Sequence, residues 1–201
     1  MTKKGIAFFY FAGVFTLTFG IALTIKAELG TGPFDAMLVG LYENFGLTVG
    51  SWEFILGIFM VFINAFVMKS RPDFLALITA AVVGFGIDVW LYILGSAVFF
   101  EGLFMKSFAL IVGLYFCGLG VALYLQSDFA LTPVDRTMQA LQYVSGWSVT
   151  IAKTVLSFLY LGIAFLLGGP IWIGTLLSAL LSGKLIYWTL PFAQKVKSAF
   201  D

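Results

Sequence analysis

No histidine occurs anywhere in the 201 residues. That absence removes Ser-His-Asp and Cys-His nucleophilic chemistry, the usual zinc sites and the usual proton shuttle near neutral pH. The single cysteine, Cys117, excludes an intrachain disulfide and any cysteine cluster for a metal. Charge is scarce too: 10% of residues carry one, against about 25% in a soluble domain. Phosphate loops, nucleotide fingerprints and basic nucleic-acid patches are all missing. No cofactor, metal or nucleic-acid partner is therefore expected. An enzyme is not expected either, although an aspartyl or lysyl mechanism within the membrane stays formally open.

What the chain does have is hydrocarbon. Hydrophobic residues make up 61% of it and the mean hydropathy is +1.05, values of an integral membrane protein. A span needs about 20 apolar residues. Six stretches qualify, at 6–25, 49–68, 73–95, 105–125, 148–168 and 171–191. The breaks between them carry turn or charge signals, as at Lys69–Asp73 and Gly168–Pro170. No A-x-A-type cleavage site follows the first stretch, which reads as a retained helix. No linker divides the chain, so 1–201 is expected to form one transmembrane domain. With the amino terminus in the cytoplasm, that side holds Lys3, Lys4, Lys69, Arg71, Arg136, Lys195 and Lys197, and the other only Lys26 and Lys106. The asymmetry predicts cytoplasmic termini.

A small motif occurs twice, 100 residues apart. The first copy, FGIALTIKAELGTGPFD, runs from Phe19 to Asp35; the second, LGVALYLQSDFALTPVD, runs from Leu119 to Asp135. The same offset preserves Gly13/Gly113, Gly20/Gly120, Pro33/Pro133, Asp35/Asp135 and Gly46/Gly146, and keeps the charge of Glu28/Asp128. A shift of two residues then aligns Pro72 with Pro170 and Trp90 with Trp188. The halves are 6–95 and 105–191, with three spans each. An odd number of spans forces the second half to insert upside down relative to the first. The predicted fold is thus an all-α membrane bundle of six transmembrane helices in two inverted three-helix repeats. Segments 26–48 and 126–147 are too short and polar to span. Each fits a short helix with Pro33 or Pro133 in its first turn, re-entering the bilayer or lying at its interface. If they crossed fully, each half would have four spans and the repeat would be parallel.

The candidate chemistry lies in these segments and in charges within the spans. In Gly30-Thr31-Gly32-Pro33-Phe34-Asp35 the glycines allow turn dihedrals or close backbone approach. The proline opens a helix whose free N–H groups suit an anionic group. Asp35 in the first turn is favoured by the helix dipole and can cap those donors. The second copy has Thr132 and Pro133 before Asp135, lacks the glycines and adds Arg136, so the two need not bind alike. A half-helix that binds substrate or ion is one reading; a capped helix that only turns the chain is the other. Within spans, ionisable residues are costly and mark a cavity or relay by default. They are Glu53, Asp88, Lys153 and Lys184. From the helical rise, Glu53 and Asp88 lie roughly 6 and 9 Å from the outer face, and Lys153 and Lys184 about 7 and 10 Å from the inner one. Glu28, Asp35, Glu53 and Asp88 would then form an outer cavity around Lys26. Lys153, Lys184 and Arg136 would form an inner one around Asp128 and Asp135. Snorkelling to the interface is the alternative for Glu53 and Lys153, and a structural ion pair for Asp88 and Lys184.

The elements GIAL…ELGTGPFDAMLVGL…GLTVGSWE, followed by a Gly-rich span ending GFGIDVW, resemble the bacterial YczE/YyaS/YitT family of small integral membrane proteins. The resemblance covers nearly the whole chain, and G-T-G-P-[FW]-D is its most specific part. It implies a bacterial cytoplasmic membrane and about six helices, and carries over no catalytic residues and no settled substrate. The expected function is transport or channelling of a small polar or ionic solute between the repeats, along Asp35, Asp135, Asp88, Lys184, Glu53 and Lys153. The alternative is an accessory protein that assembles with another membrane protein. Either is compatible with a homo-oligomer in the lipid bilayer.

Overall fold

The computed structural model describes residues 3–97 and 100–198, and their secondary structure is entirely helical. The helices are α1 (Lys3–Lys26), α2 (Pro33–Phe45), α3 (Val49–Val67), α4 (Phe74–Ala97), α5 (Gly102–Leu125), α6 (Pro133–Ser145), α7 (Val149–Leu166) and α8 (Ile173–Ser198). All but α2 and α6 are long and apolar enough to cross a membrane. The expected spans recur with small shifts, except the last. There α8 continues through Pro191 into a polar turn carrying Lys195 and Lys197, cations suited to a helix carboxyl end. The chain ends, on which the expected cytoplasmic termini bear, lie outside the described residues.

The two short helices are built alike. Each opens on its proline and ends before a glycine in the left-handed region, Gly46 at φ 73° and Gly146 at φ 70°. The next helix starts at once, capped by a hydroxyl: Thr48 accepts from Ser51 N at 3.0 Å, and Ser148 from Ile151 N at 3.4 Å. Glu28 and Asp128, just beyond α1 and α5, share a positive φ of 55° and 50°. The order long, short, long, long therefore recurs at the offset of 100 residues.

At the centre α1 crosses α5. Gly13 lies against Tyr124 and Gly113 against Thr24, while Gly20 meets Cys117 and Gly120 meets Leu17. Each contact is the image of another under the 100-residue offset, the pattern of a two-fold interface. As position rises from 13 to 20 along α1 it falls from 124 to 117 along α5, so the two helices are antiparallel. Around this pair, α4 packs on α1 and α8 on α5, while α2 packs on α7 and α6 on α3. One relation is broken. Gly50 and Gly84 bring α3 and α4 into backbone contact, whereas α7 and α8 form no comparable interface among the described residues.

Each short helix packs on a long helix of the other half, α2 on α7 and α6 on α3. Phe34 packs its ring on Tyr160 of α7 with centroids 5.1 Å apart, and Asn44 Nδ2 donates to the Leu167 carbonyl at 2.7 Å. The amino end of α2 thus lies beside the interior of α7, and its carboxyl end beside the turn after α7. On the other side Gly57 abuts Pro133, and Asn64 Nδ2 donates to the Pro133 carbonyl at 3.3 Å and to Thr137 Oγ1 at 3.1 Å. Phe66, Phe104 and Leu166 stand largely exposed on the outer surface.

Candidate functional site

Asp35 and Asp135, on the first turns of α2 and α6, are both within electrostatic reach of a third acid. Glu53, on the first turns of α3, is 4% exposed and lies within electrostatic reach of both Asp35 and Asp135. Asp135 also reaches Lys153 and Tyr160 of α7 and Tyr124 of α5, and Asp35 reaches Cys117. Both halves of the chain thus supply one polar centre beside the α1–α5 crossing. The carboxylates are near neighbours without being ligands of a common point. No group of three His, Cys, Asp or Glu among the described residues is gathered tightly enough to hold a metal ion.

The two half-helices differ in what they leave free. Thr132 caps α6, accepting from Asp135 N at 3.2 Å and donating to Asp135 Oδ2 at 2.8 Å, and the Tyr124 hydroxyl donates to the same oxygen. Asp135 Oδ2 is therefore engaged by two hydroxyls of its own half. In the first half Gly32 takes the cap position and has no side chain to offer, and Thr24 stands where Tyr124 would be. Thr24 instead hydrogen-bonds the buried Thr31, Oγ1 to Oγ1, at 2.7 Å. Asp35 consequently accepts no hydrogen bond among the described residues, and neither does Glu53. The Tyr160 hydroxyl is buried and also lacks a partner among them. Asn64 Oδ1 is the other buried side-chain oxygen without a hydrogen-bond partner among the described residues. Gly30, at φ 90°, serves packing instead. It lies against Trp172 and Thr175, next to the bond from Gly174 N to the Leu29 carbonyl at 2.7 Å.

Several residues expected to line the two cavities have partners of their own. Asp88 accepts from Thr48 Oγ1 at 2.6 Å and from Gly50 N at 2.8 Å, so it closes the amino end of α3 rather than lining a path. Lys184 is exposed on α8, with open space beside the neighbouring Gly183. Glu28 pairs with Lys106, whose hydrogen bond and charge hold its carboxyl below the usual range. Arg136 pairs with Asp73 at 3.2 Å and Lys197 with Asp128 at 3.4 Å. At the Asp128 end, two adjoining clefts of about 310 and 260 Å³ share Asp128, Phe129 and Leu131, and the second reaches Tyr124.

Six apolar helices packed in this way define a multi-pass α-helical membrane protein. Residues 4–191 match the Family of unknown function DUF6198, and the chain belongs to that family. It is 40% identical over 187 residues to the uncharacterized protein YyaS of Bacillus subtilis, covering 93% of each chain. It is 33% identical over 184 residues to the uncharacterized membrane protein YczE of the same organism, covering 91% of this chain and 84% of that one. A protein of Haemophilus influenzae is 24% identical over 174 residues, with 87% and 78% covered. No solved structure matches the chain.

Proposed function

We propose that this protein is a transporter or channel for a small polar or ionic solute, with its site between two inverted repeats. The observation that carries the reading is the buried Glu53, which lies within electrostatic reach of Asp35 in one half and Asp135 in the other. The antiparallel, self-complementary α1–α5 contact supports inversion, because a two-fold axis normal to both helices would lie in the membrane plane. The inward amino ends of α2 and α6 support re-entrant helices, a use of irregular backbone allowed only where protein or water surrounds it. The bacterial cytoplasmic membrane is the proposed location.

A second reading has its own observation. Lys184 is exposed within a span, and α7 and α8 form no extensive interface among the described residues, a surface that an accessory protein or a homo-oligomer would use. A thermal-shift screen of small polar and ionic solutes on the purified protein separates the two. A solute at a hundred times its dissociation constant should stabilise the fold by about 2.7 kcal/mol. No shift with any solute, together with co-purification of a membrane partner, would put the accessory reading ahead. Orientation is checked by cysteine labelling. A probe at position 102 should react on intact cells and one at position 70 only after permeabilisation; the reverse pattern would invert the assigned topology.

A further inference from the structure

The two ends of the molecule differ at one place where the repeat makes them comparable. In the first half, α2 and the segment before it are seated on the turn 167–172 and the start of α8. Asn44 Nδ2 donates to the Leu167 carbonyl at 2.7 Å, and Gly174 N donates to the Leu29 carbonyl at 2.7 Å. Glycine makes this seam close. A side chain at Gly40 would run into Leu167, one at Gly169 into the Ala36 carbonyl, and one at Gly174 into the Gly30 carbonyl. The 100-residue offset puts Ala130 and Ala140 in place of Gly30 and Gly40, and the two-residue shift puts Arg71 and Ala76 in place of Gly169 and Gly174. Each of the four carries a Cβ, which keeps backbone from so close an approach. At that end no backbone hydrogen bond joins 126–132 to 68–77 among the described residues. Side chains hold it instead: Thr79 Oγ1 donates to the Ala130 carbonyl at 3.2 Å, and Arg136 reaches Asp73 at 3.2 Å. The clefts of about 310 and 260 Å³ open there.

Two inverted halves that share one pathway present an equivalent gate at each end, and alternating access closes one while the other stands open. We propose that the glycine-lined seam of α2 on the α7–α8 turn is the closed gate of this protein, and that the cleft lined by Asp73, Asp128 and Arg136 is its open mouth. The proposal rests on the transport reading above. The opposite state is reached by exchange: α2 leaves the turn 167–172 as α6 closes on the turn 68–73. Arg136 and Asp73 already join those two elements, one from each half, across the mouth. Glycines at one seam and their replacements at the other make the two closures unequal, so the resting population favours the state with the Leu167 end shut.

The test is the reaction of single cysteines with a water-soluble maleimide, in a Cys117→Ser background. Purified protein in nanodiscs lets the reagent meet both membrane faces. Thr31, fully buried beside the seam, and Leu131, which lines both clefts, are repeat equivalents. Leu131→Cys is expected to react at least about tenfold faster than Thr31→Cys, because a buried site reacts only as often as it opens. Adding Asn44→Ala, which removes the bond to Leu167, should speed the reaction at 31 and slow it at 131. Gly40→Leu should do the same more strongly, and where it fails to fold Asn44→Ala decides. A faster reaction at 31 with 131 unchanged is local loosening and would overturn the gate. Equal rates at 31 and 131 with the seam unaltered would overturn it as well. Uptake of small polar and ionic solutes by proteoliposomes separates this proposal from the reading beneath it. Reciprocal labelling without uptake would keep the two conformations and overturn transport. Uptake without reciprocal labelling would keep transport and overturn the seam as its gate.

Discussion

Gly20→Leu and Gly120→Leu are each expected to abolish accumulation of folded protein. At both positions a side chain would run into the backbone of the opposing helix: Cys117 for the first, Leu17 for the second. Backbone cannot rotate aside as a side chain can, so relief requires separating α1 from α5. Overpacking in a close-packed interior costs about 1–3 kcal/mol even where neighbours can give, and here the crossing carries the centre of the bundle. Fluorescence-detected size exclusion of the two variants, beside Gly162→Leu as a control, measures this. Gly162 lies on α7 with open space where a side chain would go, so its substitution should be tolerated. The proposed inversion adds a stricter expectation. Gly20→Ala and Gly120→Ala should lower the melting temperature by similar amounts, since they occupy equivalent places in one self-complementary contact.

The second large effect separates the two first-turn acids. Asp135→Ala should destabilise by about 1–3 kcal/mol, because the Tyr124 hydroxyl, on a residue only 2% exposed, would lose its partner. Asp35→Asn should cost only a few tenths to about 1 kcal/mol, since Asn caps well and no hydrogen bond to the carboxylate is lost. Solute binding and uptake should fall severely in Asp35→Asn, by at least about tenfold, a change worth roughly 1.4 kcal/mol. Thermal unfolding and uptake, measured on both variants, give the comparison. If Asp35→Asn transports at full rate, the carboxylate only caps its helix and leaves the mechanism.

Much of the architecture was legible from the chain because hydrophobic length and offset repetition act locally. The six spans, the two proline starts and the glycines that end the short helices fell close to where Pro33, Pro133, Gly46 and Gly146 placed them. The site was legible only in part. Reckoning depth along each span assigned Glu53 to one face and Lys153 to the other, but Asp135 lies within electrostatic reach of both. A buried acid also looks the same in sequence whether it serves a ligand or a helix end, and Asp88 closes the start of α3. Tyr124 and Tyr160 gave no signal among the 8 tyrosines of a chain that is 18% aromatic. A clue did exist at Thr24 and Tyr124, equivalent positions that both carry a hydroxyl beside a proline-started helix.

The glycine-lined crossing has a consequence for synthesis. Residues that meet at the centre, such as Gly13 and Tyr124, are separated by more than half the chain. A ribosome adding roughly 5–20 residues per second reaches the second partner on the order of 5–20 s after the first. During that interval α4 can cover one side of α1, but the stripe of Gly13 and Gly20 has only lipid to face. The first half therefore waits in the bilayer with its closest contact unmade, and becomes part of a finished bundle when α5 is delivered to it.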